Sequence, residues 1–136
     1  MRLTRASAIA VFAVTHVAEC EPQRPCQGRV IAGALGVSPD SLLKLLQQLA
    51  RAGVLSSTRG RSGGFSLGRP AEEISLLAIV EAIDGPIDGR VPQAGLRGMA
   101  RTRKGIEKAM GESARSVRNL LERTTIRDLS HLSESK

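Results

Sequence analysis

Apolar positions along the chain follow a helical period in most places and a strand-like one in a single short stretch. Leu42, Leu45, Leu46 and Leu49 fall at i, i+3, i+4 and i+7, which predicts a helix with one buried face. At 100° per residue, Asp40, Lys44, Gln47 and Arg51 lie on the opposite side and make a polar, partly basic outer face. Ser38 is expected to cap this helix through its hydroxyl, and Pro39 suits its first position. Gly53 is the expected left-handed residue that lets the chain turn back. Val54 to Thr58 and Phe65 to Leu67 read as short strands around the basic, glycine-rich turn Arg59-Gly60-Arg61-Ser62-Gly63-Gly64.

The flanking segments are helical. Leu3 to Glu19 carries a broad apolar stripe of Leu3, Ala6, Ala10, Ala13, Val14 and Val17, widened by Ile9 and Phe12. Two prolines between Cys20 and Cys26 end it in a loop. Arg29 to Leu35 predicts a short helix, and Gly36-Val37 a turn into Ser38, which is helix-turn-helix spacing. Ser75 can cap a helix over Leu76 to Ile83, stopped by Asp84-Gly85. Periodicity then vanishes through the glycines and prolines of 86–98. It returns as Ile106, Met110, Ser113, Val117, Leu120 and Thr124, a heptad-like seam. Gly105 and Gly111 interrupt good helix formers there, which implies tertiary support or close approach of another backbone. Thr125 can cap a last short turn over Ile126 to Leu132. The expected fold is mainly α with a small β-wing: a winged helix-turn-helix over 1–85, a hinge loop over 86–100, and a dimerisation helix with a short terminal turn over 101–132.

Charge sharpens this picture. The net charge is +7 in 136 residues. Residues 1–70 hold nine basic and three acidic side chains, while 71–136 hold eleven and ten. The excess therefore sits with the helix-turn-helix, as a phosphate-binding face requires. Phe12 and Phe65 are the only aromatic residues, which disfavours base stacking on single strands and leaves duplex DNA, read in the major groove, as the expected nucleic acid. Ser38, Asp40, Ser41, Lys44, Gln47 and Arg51 are the candidate DNA contacts on the helix, and Arg59, Gly60, Arg61 and Ser62 those on the wing. Ile106, Met110, Val117 and Leu120 are the candidate dimer contacts. The N-terminal run Ala8 to Val14 is too short and lacks the cleavage site of a signal peptide, and no segment is long enough to span a membrane, so a cytoplasmic protein is expected.

Several stretches also resemble a known family. They are Met1-Arg2-Leu3-Thr4, Ile31-Ala32 with Val37-Ser38 and Leu42, Gly53-Val54-Leu55-Ser56-Ser57, Arg59-Gly60 with Gly63-Gly64-Phe65 and Leu67, and Ile74-Ser75-Leu76 with Ile79-Val80-Glu81-Ala82-Ile83-Asp84-Gly85. Together they resemble the IscR/NsrR/CymR group of prokaryotic winged-helix regulators, the Rrf2 type, over about residues 1–85 and in layout beyond. The resemblance implies a homodimer with a long C-terminal helix at its two-fold, two recognition helices and two wings on a near-palindromic operator, and in several members an iron–sulfur cluster. Cluster-binding members carry their cysteines in the loop before the long helix. Here residues 85–104 hold no Cys or His and only Asp88 as an acid, and Ala8 stands where some members place an acidic ligand.

Cys20 and Cys26 remain, with His16 one helical turn before Cys20. Three readings stay open for them: plain structural cysteines, a regulatory disulfide or reactive thiol, and metal ligands. No metal site is expected from their spacing, and no cofactor, with an iron–sulfur cluster held in another way left open. No nucleophile–base motif or P-loop is present, so no enzyme is expected. The expected function is a homodimeric, sequence-specific DNA-binding regulator, a repressor. The alternatives are a winged-helix module whose seam binds another protein, and a regulator switched by thiol or metal chemistry at Cys20 and Cys26. Because residues 85–104 lack thiols, protein purified without oxygen is expected to be colourless and its DNA affinity indifferent to nitric oxide. A visible absorption band with matching iron and sulfide overturns that.

Overall fold

The computed structural model describes residues 1–20, 24–93 and 97–134, with side chains to residue 130. The first helix, α1, spans Arg5–Glu19. It begins two residues later than its apolar pattern, because Thr4 takes the cap: its Oγ1 accepts from the Ser7 amide at 3.0 Å. The same hydroxyl donates to the Asp84 carboxylate, and the Ser7 hydroxyl donates to it at 2.6 Å. Ser7 is the one buried polar side chain among the described residues, and Asp84 satisfies it. Asp84 is itself the last residue of the helix that begins at Leu76, rather than part of its stop, and only Gly85 ends it.

Helices α2 (Gly28–Leu35) and α3 (Pro39–Arg51) form the helix-turn-helix. Both close in the same way. Gly36 and Gly53 are left-handed, and the next amide, Val37 or Val54, reaches back to the carbonyl of Ala32 or Leu49 at 3.0 Å. Ser38 sits in the extended cap position of α3, but its side chain makes no capping bond, contrary to expectation. Leu42, Leu46 and Leu49 are buried in the core, whereas Leu45 is only half-buried.

Strands β1 (Leu55–Thr58) and β2 (Gly64–Leu67) pair antiparallel, with Leu55 opposite Leu67 and Thr58 opposite Gly64. A single 3-10 turn at Ala71–Glu73 leads to α4 (Leu76–Asp84), whose N-cap Ser75 accepts from the Ala78 amide at 3.0 Å. The core gathers Ala10, Ala13 and Val14 of α1, Ile31 of α2, the α3 leucines, Val54, Phe65, Ile74 and Ile79.

Helix α5 spans Ala100–Arg123, 24 residues. At 1.5 Å per residue that is roughly 36 Å, longer than the domain needs to cover its own core. None of its residues is buried. It is fastened to α4 by an Arg118–Glu81 ion pair, and Glu81 also accepts from the Ile87 amide. The close backbone approach expected at Gly111 exists, but the residue that permits it is Gly89: a side chain there would strike the Gly111 backbone. The terminal element, α6 (Ile126–Glu134), is longer than the short turn expected. Ile126 enters the core beside α1, and its amide donates to the Ile74 carbonyl at 2.9 Å. Thr125 and Asp128 cap each other reciprocally, each side chain accepting from the other's amide.

Leu46 lies at the centre of this core with no exposed surface. Leu46→Ala should lower unfolding stability by about 2–5 kcal/mol in a denaturant titration. A loss under 1 kcal/mol would show that the domain does not depend on the α3 stripe.

Candidate nucleic-acid interface

The fold presents α3 by its polar face. Ser38, Asp40, Ser41, Lys44, Gln47 and Arg51 are all exposed, and so is Leu43 at their border. The buried leucines on the other side fix the rotation of the helix, so the outward set follows from the inward one. The unused Ser38 hydroxyl lies at the helix entrance, where first-turn amides have no intrahelical acceptor.

The wing tip is built for close approach. Gly60 adopts φ +108°, and the Gly63 amide donates to its carbonyl at 3.0 Å. Gly63 is buried, and a side chain there would strike the Thr58 carbonyl. Arg59, Gly60, Arg61 and Ser62 are exposed at the tip. The described ion pairs are Arg90–Asp88, Arg103–Glu107 and Arg118–Glu81. Lys44, Arg51, Arg59 and Arg61 take part in none of them, so their charge is not spent internally. By contrast Arg90 is held by Asp88, whose carboxyl lies below its ordinary range chiefly because it accepts the Arg90 amide. The charges toward the C-terminal half are thus partly paired, and those of α3 and the wing face outward.

Two contributors escaped the sequence pattern. Cys26 forms an isolated antiparallel bridge to Phe65, its amide donating at 2.8 Å and its carbonyl accepting at 2.7 Å, which pins the outer edge of β2. Gln27 follows and donates through Nε2 to the Arg61 carbonyl at 3.5 Å. Neither has a local signal, since the bridge joins residues 39 apart in sequence. Cys26 is also joined to Cys20 by a disulfide, and His16 lies within reach of both sulfurs. Residues 21–23 of the intervening loop lie outside the described residues, as do 94–96 of the expected hinge.

The expected dimer contacts are carried on α5. Ile106, Met110 and Leu120 are exposed, Leu120 by 58%, and Val117 is half-buried. Among the described residues, no helix is long and apolar enough to cross a membrane.

Known proteins share this architecture. A family profile described as "Rrf2: Iron-dependent Transcriptional regulator" matches residues 3–132. An HTH-type transcriptional regulator of Mycobacterium tuberculosis is 32% identical over 134 residues, covering 95% of this chain and 81% of the relative. The HTH-type transcriptional regulator IscR of Serratia proteamaculans is 35% identical over 88 residues, 65% of this chain and 54% of IscR. The solved structure of CymR, the global cysteine regulator of Bacillus subtilis, superposes with a TM-score of 0.76 at 23% identity, over 97% of this chain and 98% of CymR.

Gly64 offers a test of the wing that leaves its charges in place. At φ +152° its Cα packs against the Cys26 carbonyl, which a Cβ would strike. Gly64→Ala should keep the helical circular dichroism spectrum but weaken duplex DNA binding several-fold in an anisotropy titration. Unchanged affinity would mean that the wing's placement does not matter to DNA.

Proposed function

The chain belongs to the Rrf2 family of DNA-binding transcriptional regulators, and we propose that it acts as a homodimeric repressor on a near-palindromic operator in the cytoplasm. In this reading α3 enters the major groove, with Lys44 and Gln47 toward base edges and Ser38, Ser41 and Arg51 toward the backbone. Arg59 and Arg61 reach the minor groove or its phosphates from the wing. The observation that carries the reading is that Lys44, Arg51, Arg59 and Arg61 are all exposed on the recognition helix and the wing and take part in no ion pair among the described residues. The bare stripe of α5 supports the two-fold arrangement. An apolar stripe on a long helix with no buried residue is a surface that a second copy can cover.

Dimerisation sets the spacing of the two α3 helices, so half-sites should lie one helical turn apart or a multiple of it. A bound dimer at such a site excludes other proteins from the same duplex, which is the simplest route to repression. The competing reading gives the α5 stripe to a different protein and leaves DNA binding vestigial.

Light scattering at micromolar concentration should give the dimer mass, and Leu120→Asp should shift it toward monomer or insolubility. A wild-type monomer would sink the two-fold arrangement. On operator DNA, log affinity should fall linearly with log salt, and losing one phosphate contact per subunit should flatten the slope by roughly 2 per dimer. Removing a base reader should instead cost about 1–3 kcal/mol at one position of each half-site. Arg59→Ala should mix the two behaviours, because an arginine in the minor groove also reads groove width. If Arg59→Ala and Lys44→Ala both leave affinity and slope unchanged, the protein-interaction reading takes its place.

A further inference from the structure

The root of the wing gathers a donor set that DNA docking does not use. One ligand atom each from His16, Cys20 and Cys26 lie within 4.8 Å of one another. His16 is in the last turn of α1, Cys20 terminates that helix, and Cys26 is the strand partner of Phe65. His16 and Cys20 are half-buried and Cys26 is buried. Cys20 also lines an open groove with Val17, Ala18 and the β2 residues Ser66 and Leu67.

We propose that, with the disulfide reduced, His16, Cys20 and Cys26 form a three-ligand site for a thiophilic divalent cation, Zn2+. The donor chemistry selects the ion. Two thiolates and an imidazole suit zinc and repel hard cations such as Mg2+. Tetrahedral zinc, at about 2.3 Å from sulfur and 2.0–2.1 Å from nitrogen, holds its ligands roughly 3.5–4 Å apart. The three donors already lie within 4.8 Å of one another, close to that range, and opening the S–S bond lets the sulfurs part to it. A fourth position falls to water.

The compartment decides which state prevails. A regulator of transcription works where the DNA is, and there glutathione and thioredoxin keep thiols reduced. The disulfide and the metal-bound thiolates are therefore two states of one site. A low-molecular-weight dithiol passes two electrons and two protons to the S–S bond and becomes a cyclic disulfide, leaving two protein thiols. Each thiol then releases its proton to solvent as its sulfur bonds to the metal, so loading one Zn2+ liberates two protons. Since Cys26 is hydrogen-bonded to β2, either state ties the end of α1 to the wing, one through S–S and the other through the ion. Any bearing on operator affinity rests on the docking proposed above, so the test is done without DNA.

The full chain, reduced with a phosphine and kept free of oxygen, is titrated with Co2+ and then Zn2+. With no Trp or Tyr, the near-ultraviolet background is low. One Co2+ per chain should bind, with thiolate charge-transfer bands and intense tetrahedral visible bands that Zn2+ abolishes. His16→Ala and Cys20→Ser should each weaken binding tenfold or more, and protein reoxidised with diamide should bind none. The site is refuted if reduced protein shows no saturable binding, if the oxidised form binds equally well, or if His16→Ala binds as tightly as wild type. His16 is half-exposed at a helix end, so its variant should fold even if a cysteine variant does not, and it then decides the matter alone.

Discussion

The pair of main-chain hydrogen bonds between Cys26 and Phe65 is the constraint on which the placement of the wing depends. A two-stranded hairpin with four residues on each side is marginal in water. The Cys26 bridge supplies a third strand position, and the buried Phe65 ring fixes the sheet to the domain core. The bridge also requires Gly64, because the backbones approach too closely there for any side chain. Because Cys26 immediately precedes α2, one contact locates the wing relative to the helix-turn-helix. The short turn at Ala52-Gly53 locates it from the other side.

The long helix obeys a different logic. Its C-terminal end is tied to the domain while its apolar stripe is left bare. At the C-terminal end, the Leu76 amide donates to the Thr124 carbonyl at 2.7 Å, and Ile126 enters the core. Along its length the Arg118–Glu81 pair and the Gly89 approach hold it against α4 and the following loop. These are partly exposed polar contacts, each worth little by itself. Packing energy for α5 therefore has to come from whatever covers Ile106, Met110 and Leu120.

Much of this was legible in the sequence, for physical reasons that can be named. Helical periods of leucine, isoleucine and valine report burial directly, so α3 and α4 were readable to within one or two residues. The stripe of α3 also fixed its outer face, and the glycines at 36 and 53 marked real left-handed positions. What stayed hidden was long-range. The cap of α1 went to Thr4 because Asp84, eighty residues away, needed two hydroxyl donors. The Ser38 capping bond failed although the residue type was right. Gly111 signalled a close approach, yet Gly89 was the residue on which it depended. The pairing of Cys26 with the wing and with Cys20 left no periodic trace, since both contacts close through loops.

These constraints divide the molecule into parts that can move and parts that cannot. Helix α3 is locked by three leucines with almost no exposure, so its rotation cannot be adjusted without unpacking the core. Its six outward residues accordingly behave as one rigid edge. Two joints remain. One is the root of the wing, held by two backbone hydrogen bonds and by whatever joins Cys20 to Cys26. The other is the α4–α5 junction, held by an ion pair and a glycine contact. Contacts this few can be opposed by a change of a few kcal/mol, which the packed α3 leucines resist. The first joint changes the reach of Arg59 and Arg61 within one subunit. The second sets how α5 and its bare apolar stripe sit against α4. Both cysteines and the His16 imidazole meet at the first, whereas residues 85–104 hold no Cys or His. The wing root is therefore the joint that carries the redox-active cysteines.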